Sequence, residues 1–320
     1  MINMPMDAVW RSRYLRGGPA GIICALALFA ATSATAAQAQ KSFVSPDAAV
    51  AVLVDAVKLN DQPLTRAILG RGSSKLVSSG DPVADERGRA AFITAYSESS
   101  QLLVEGGTQA TLVIGKNAWP FPIPLVKSDG GWRFDTRRGE EEILNRRIGR
   151  NELAAIQVCH AIVDAEREYA AQDLDGDGVL EYAPRFASTP GKHDGLYWPT
   201  KSGGAQSPLG SLLAAAAQEG YSRTGIKAQA PYHGYFYRIL TRQGPDAPGG
   251  SYDYVIKGKM IGGFAVLAYP ARYGASGVMT FIVNQDGKVY EKNLGKTTTM
   301  IATKMTDYNP GDGWKQTEKK

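Results

Sequence analysis

Apolar and polar positions follow two different periods along this chain, and the changes of period mark its parts. From Pro46 the period is helical: Ala48, Val52, Ala56 and Leu59 recur at three- and four-residue spacing. Ser45-Pro46 supplies an N-cap and a proline at the first helical position. Asp61-Gln-Pro63 turns the chain into a short helix ending at Gly70, and Asp81-Pro82 opens another that carries Phe92 and Tyr96. The period then falls to two. Ala110, Leu112 and Ile114 share one face of a strand, as do Phe121, Ile123 and Leu125, where Pro122 and Pro124 mark a sheet edge. Asp129-Gly130-Gly131 is a turn, and Trp132 with Phe134 begins the returning strand. Helices followed by a curved antiparallel sheet are therefore expected over residues 40–138.

The second half repeats this order on a larger scale. Asn151 is placed to cap a long helix whose apolar face is Leu153, Ile156, Cys159 and Val163. Ser207-Pro208 opens a shorter helix through Leu212, Leu213 and Ala217 that stops at Gly220. Strands are expected at 234–240, 252–257, 262–269, 277–283 and 288–291, the last two joined by the hairpin signal Asn284-Gln-Asp286-Gly287. That pattern predicts a long helix packed on an antiparallel meander over residues 139–313, followed by a solvated basic tail at 314–320. The fold class is α+β. With 320 residues, 43% of them hydrophobic, the chain has material for two cores.

The N-terminus adds a destination. Arg11, Arg13 and Arg16 precede an apolar run at 20–31, too short to span a bilayer, and Ala34-Thr-Ala36 and Ala37-Gln-Ala39 are small-x-small cleavage sites. Residues 1–39 read as a secretory signal peptide cut near Ala39, which makes the mature protein periplasmic or secreted and free of a transmembrane helix. Cleavage removes three arginines and Asp7 from a formal charge of +5. Without a dense Lys/Arg stripe interleaved with aromatics, nucleic acid is excluded as a partner. An envelope protein or a glycan is the partner class that remains. Cleavage also removes Cys24, leaving Cys159 as a small core residue with no disulfide partner.

One stretch suggests a ligand. The long helix runs into Asp173-Leu-Asp175-Gly-Asp177-Gly178-Val-Leu-Glu181. Three carboxylates at alternate positions followed by a glycine at the sixth are what a calcium loop needs, because hard oxygens must converge on one cation. Asp173, Asp175, Asp177 and Glu181 are the candidate metal ligands and calcium the candidate ion. The match to the twelve-residue loop is partial, since Pro184 stands where a bidentate Glu belongs. A plain solvated helix end is the competing reading.

Catalytic spacings are absent. There is no Gly-x-Ser-x-Gly elbow, His-Glu-x-x-His, Ser-x-x-Lys or phosphate-binding glycine loop. His160 lies beside the apolar helix face and reads as structural, while His193 and His233 sit in Gly- and Tyr-rich loops, each a potential general base. Tyr197, Trp198, Tyr232, Tyr235 and Tyr237 divide between core and a ligand-facing cluster. Two functions follow. One is a non-catalytic binding or scaffolding module with a calcium-stabilised loop. The other is a periplasmic hydrolase using His193 or His233, and a Ser, Tyr or carboxylate beside either histidine discriminates them.

Three resemblances bear on these expectations. The helices-then-sheet order of residues 40–138 resembles the nuclear transport factor 2-like cone, in architecture and not in any motif. The long helix, acidic turn and closing pattern Gly277-Val-Met-Thr-Phe-Ile-Val-Asn-Gln-Asp-Gly-Lys-Val-Tyr resemble the globular part of pilins and pseudopilins, without their apolar N-terminal helix. Residues 42–294 resemble the exported bacterial family named domain of unknown function 2950. The phrases that carry this are Asp173-Leu-Asp-Gly-Asp-Gly-Val-Leu-Glu-Tyr182, His193-Asp-Gly-Leu-Tyr-Trp-Pro199, Pro231-Tyr-His-Gly-Tyr-Phe-Tyr-Arg-Ile-Leu240 and Tyr273-Gly-Ala-Ser-Gly-Val-Met-Thr-Phe281. That resemblance implies membership and no activity.

Overall fold

Helix boundaries follow the capping residues closely in the first half. Ser45 accepts the amide of Ala48 and opens α1 (Pro46–Lys58); Asp61 accepts that of Leu64 and opens α2 (Gln62–Leu69). A four-residue α3 (Ser74–Val77) precedes α4 (Pro82–Glu98), capped by Asp81. The computed structural model describes residues 39–199, 206–222 and 230–317, so the expected signal segment lies outside it except for Ala39.

The first sheet is antiparallel: β1 (Ser100–Glu105), β2 (Gln109–Ile114), β4 (Leu125–Ser128) and β5 (Gly131–Phe134) lie in that order, with β3 (Trp119–Pro120) also on β2. The expected strand over 121–126 is broken. Pro122 and Pro124 have no N–H for the ladder, so β3 pairs with one end of β2 and β4 with the other. The edge strand β1 was not legible, because Leu102, Leu103 and Val104 are consecutive and do not alternate. Val50, Leu53, Ile68, Leu112, Ile123 and Phe134 form the core between these helices and the sheet.

A single helix, α5 (Thr136–Ala170), then runs for 35 residues. It begins fifteen residues before the expected start, and the expected boundary after Arg138 falls in its first turn. Gly139 is required there, because a Cβ would collide with the carbonyl oxygen of Pro122. Asn151 is mid-helix and its amide donates to Ser276 O at 2.8 Å instead of capping. The buried face is Ala155, Cys159, Ile162, Val163, Glu166 and Tyr169; Leu153, expected in the core, is 51% exposed.

α6 (Gly210–Gln218) starts later than Ser207 predicts, and the Ser207 hydroxyl is buried without a partner among the described residues. The second sheet has the order β13 (Lys315–Gln316), β11 (Tyr290–Lys292), β10 (Thr280–Asn284), β9 (Ala265–Pro270), β6 (Tyr235–Leu240), all antiparallel. Asn284 to Gly287 makes the expected hairpin, with Gly287 at φ +74°. It is not a simple meander. β7 (Arg242–Gln243) and β8 (Tyr252–Asp253) leave to form a small sheet in which β12 (Asp307–Tyr308) runs parallel to β7. α7 (Thr298–Lys304) lies between β11 and β12 in the chain. Trp314 packs on the second core and Lys315–Gln316 pairs with β11, so the expected frayed tail does not begin at Lys315.

Cys159, Ile162, Tyr235, Phe264, Leu267 and Phe281 lie in this second core. The two cores belong to one compact unit and are laced by polar contacts. Arg147 donates to Lys75 O and Leu76 O, and Arg272 to Ser78 O. No described helix is long and apolar enough to cross a membrane.

Candidate functional site

The buried face of α5 ends at Tyr169, and the chain turns at once into the acidic loop. Asp173 organises that turn. Its Oδ1 accepts the amides of Gly176 (2.8 Å) and Asp177 (3.2 Å), and its Oδ2 that of Gly178 (2.8 Å). Gly176 and Gly178 adopt φ of +75° and +83°, a backbone that glycine takes without strain, and the loop's carboxylates stay exposed. One oxygen each from Asp173, Asp175 and Asp177 lies within 4.8 Å of the others.

A residue from elsewhere enters this cluster. Lys259 Nζ lies 2.9 Å from Asp175, 2.5 Å from Asp177 and 3.4 Å from Glu181. Hydrogen bonds to Asp177 and Asp175 raise its pKa above the usual lysine range, and the same contact holds Asp175 below the usual carboxylate range. Glu181 stands apart from the triad: its Oε1 meets Lys259 and its Oε2 accepts the amide of Met260. Tyr182 N–H bonds Met260 O, so the loop and the segment bearing Lys259 are tied by backbone as well as by charge. Sequence reading found the carboxylates because they are local; Lys259, far along the chain, gave no signal.

Beneath the loop sits a second acid that sequence reading missed. Glu166 is fully buried; its Oε2 accepts the amide of Ala183 at 2.8 Å, and its Oε1 has no partner among the described residues. Burial raises its pKa well above the ordinary carboxylate value, against the Ala183 bond, which favours the protonated form, and the carboxyl pins the end of the loop through that bond.

The two loop histidines differ. His193 is exposed, stacks on Trp198 with ring centroids 4.3 Å apart, and has no side-chain hydrogen-bond partner among the described residues. Its carbonyl accepts from Tyr169 Oη, which joins its turn to α5. His233 is half-buried at φ +50°, packed against Tyr232 (4.1 Å) and Tyr221 (5.9 Å). Its Nε2 lies 3.7 Å from Glu219 Oε2, which also takes Arg87 Nη1 at 2.5 Å. Its backbone N–H donates to Tyr221 Oη, whose hydroxyl donates to Asp81. Asp81, fully buried, accepts from Gly234 N as well and caps α4 through Ala84. Burial lowers the His233 pKa, partly offset by Glu219, and raises Tyr232 to about 12. This junction draws on three separate segments.

Of the five aromatics singled out, Trp198 and Tyr235 are buried and Tyr232 belongs to the junction. Cys159 is buried and free, its thiol pushed up to about 12 by burial.

Comparison with known proteins adds one finding. Searches of the curated proteins and of the solved structures return no match. The family model described as protein of unknown function (DUF2950) matches residues 40–317. That span covers nearly every described residue, both cores and both polar sites, and the chain belongs to the DUF2950 family.

Proposed function

We propose that the chain is an exported envelope protein acting as a non-catalytic binding or scaffolding module, and that its acidic loop takes calcium in exchange for the Lys259 ammonium. The observation that carries the cation reading is the convergence of three carboxylates around a point already drawing in a positive charge. Oxygen ligands on a glycine-hinged loop suit calcium, which tolerates irregular coordination. The division near residue 138, the cone-like first part and the pilin-like second part belong to the same reading. Both likenesses point to architectures that bind or assemble. The basic flank, short apolar run and small-x-small sites before Gln40 support export.

Calorimetric titration of calcium into chelated protein tests the site, with an Asp175→Ala, Asp177→Ala variant as control. One bound ion in wild type and none in the variant is expected. No binding at millimolar calcium defeats the reading. N-terminal sequencing of protein from the periplasmic fraction tests export: a chain beginning at Gln40 is expected, and one retaining Met1 contradicts it.

A second reading, a periplasmic hydrolase, is favoured by one observation: the half-buried His233 beside Glu219 and two tyrosines. Hydrolysis of a chromogenic ester, phosphate or glycoside that is lost in His233→Gln, with unfolding unchanged, would establish it. No turnover of any of them leaves His233 a structural residue.

A further inference from the structure

The segment after α7 supplies β12, the edge strand of the small sheet, and lines an open hollow of about 310 Å³ with Lys304, Met305, Thr306, Asp307, Asn309 and Trp314. That volume is at the small end of small-molecule sites, about 300–1,000 Å³. Neither the acidic loop nor the His233 junction contributes a residue to it.

Its polar groups are held and still have capacity. Asp307 is bound by Arg242, which also donates to Thr306 Oγ1 at 3.2 Å; the Thr306 hydroxyl bonds Asp307 in turn and keeps a lone pair to accept with. Asn309 donates one N–H to Asp246 Oδ2 and accepts Asp246 N–H, each at 2.8 Å. One amide N–H and one lone pair of Asn309 have no partner among the described residues. Fixed groups that both donate and accept suit hydroxyls, which do the same, and their rigidity lowers the entropic cost of binding. The half-buried Trp314 supplies an aromatic face, and its indole N–H has no partner among the described residues. The charges are unbalanced. Arg242 offsets Asp307, whereas Lys304 is exposed with no ion-pair partner among the described residues. Lys292 Nζ also lies 6.0 Å from the Trp314 ring centroid.

We propose that this hollow is a saccharide subsite for a sugar bearing a carboxylate: the ring lies against Trp314, hydroxyls meet Thr306 and Asn309, and the carboxylate meets Lys304. The assignment gives the binding-module reading a ligand class and rests on it. It is independent of calcium, so either site can fail alone.

The test is NMR titration of the indole N–H resonance that disappears in Trp314→Phe. The probes are a galacturonic acid trimer, a neutral galactose trimer and, as a non-sugar anion, tetraglutamate. The acidic trimer should shift the resonance at millimolar concentration and bind about threefold tighter than the neutral one, the effect of one exposed charge pair. Lys304→Gln should abolish that preference. By calorimetry, Trp314→Ala should weaken binding on the order of tenfold, about 1.4 kcal/mol, with Trp314→Phe near wild type. Because Trp314 also packs on the core, thermal unfolding of both variants accompanies the titrations. No shift with either trimer, equal binding of tetraglutamate, or full affinity in a folded Trp314→Ala overturns the proposal.

Discussion

The acidic loop and the His233 junction are both polar clusters next to the second core, yet they are built in opposite ways. The loop takes four carboxylates from nine consecutive residues, exposes its triad to water, and borrows one cation from the chain eighty residues on. The junction takes its members from α4, the end of α6 and the turn before β6, and buries the acid at its centre. An exposed cluster of like charges is held by whatever cation enters it. A buried one is held by the geometry of donors around it. The loop should therefore respond to ions and the junction to deletion.

The largest effect is expected at Asp81. Asp81→Ala leaves the Tyr221 hydroxyl and the amides of Gly234 and Ala84 without an acceptor. A loss on the order of 3 kcal/mol or more in urea unfolding is expected. A loss below about 1 kcal/mol would mean that the junction does not tie the cores together.

Glu166 comes next, because it lies under the loop but is built like the junction. Glu166→Leu orphans the Ala183 amide and should cost ~1–3 kcal/mol. Its pH behaviour has a definite sign. The folded pKa is raised, so the folded state holds the proton more tightly than the unfolded one. Stability from this group is full below the unfolded pKa and is lost as pH rises toward the folded value. Glu166→Gln should flatten that slope above about pH 4.5, as read by chemical unfolding across pH.

His233 has the opposite sign. Its folded pKa is lowered by burial, so its contribution is full above the unfolded value, near pH 6.5, and is lost as pH falls below it. His233→Gln should lose less stability than wild type over that fall, a smaller effect than at Glu166. Smallest of all is Leu153→Ala, within about 0.5 kcal/mol, since the side chain faces solvent.

Leu153 shows where the periodicity misled. The spacing of Leu153, Ile156, Cys159 and Val163 is helical and the helix exists, but its buried face is rotated toward Ala155 and Ile162. A period fixes a helix and leaves its rotation open when small residues carry the contact. Starts marked by Ser45, Asp61 and Asp81 were legible because caps act within a few residues. The start of α5 was not, because its N-terminal turns are mostly polar and bridge the two cores without burying a stripe. The same rule divides the sites. Asp173, Asp175 and Asp177 announce themselves by spacing. Lys259, Glu166 and Glu219 do not, since only the fold brings them to their partners.

The most direct test of the exchange between ammonium and calcium is thermal unfolding of Lys259→Met, in chelator and in calcium. In chelator the variant should unfold below wild type, because the carboxylates of the loop then repel one another with no ammonium between them. In calcium it should recover and gain more than wild type does, since its site has no resident competitor. At roughly 100 times the dissociation constant, binding adds about 2.7 kcal/mol. A variant that melts with wild type in chelator and ignores millimolar calcium would contradict the account and reduce the loop to a solvated end of α5.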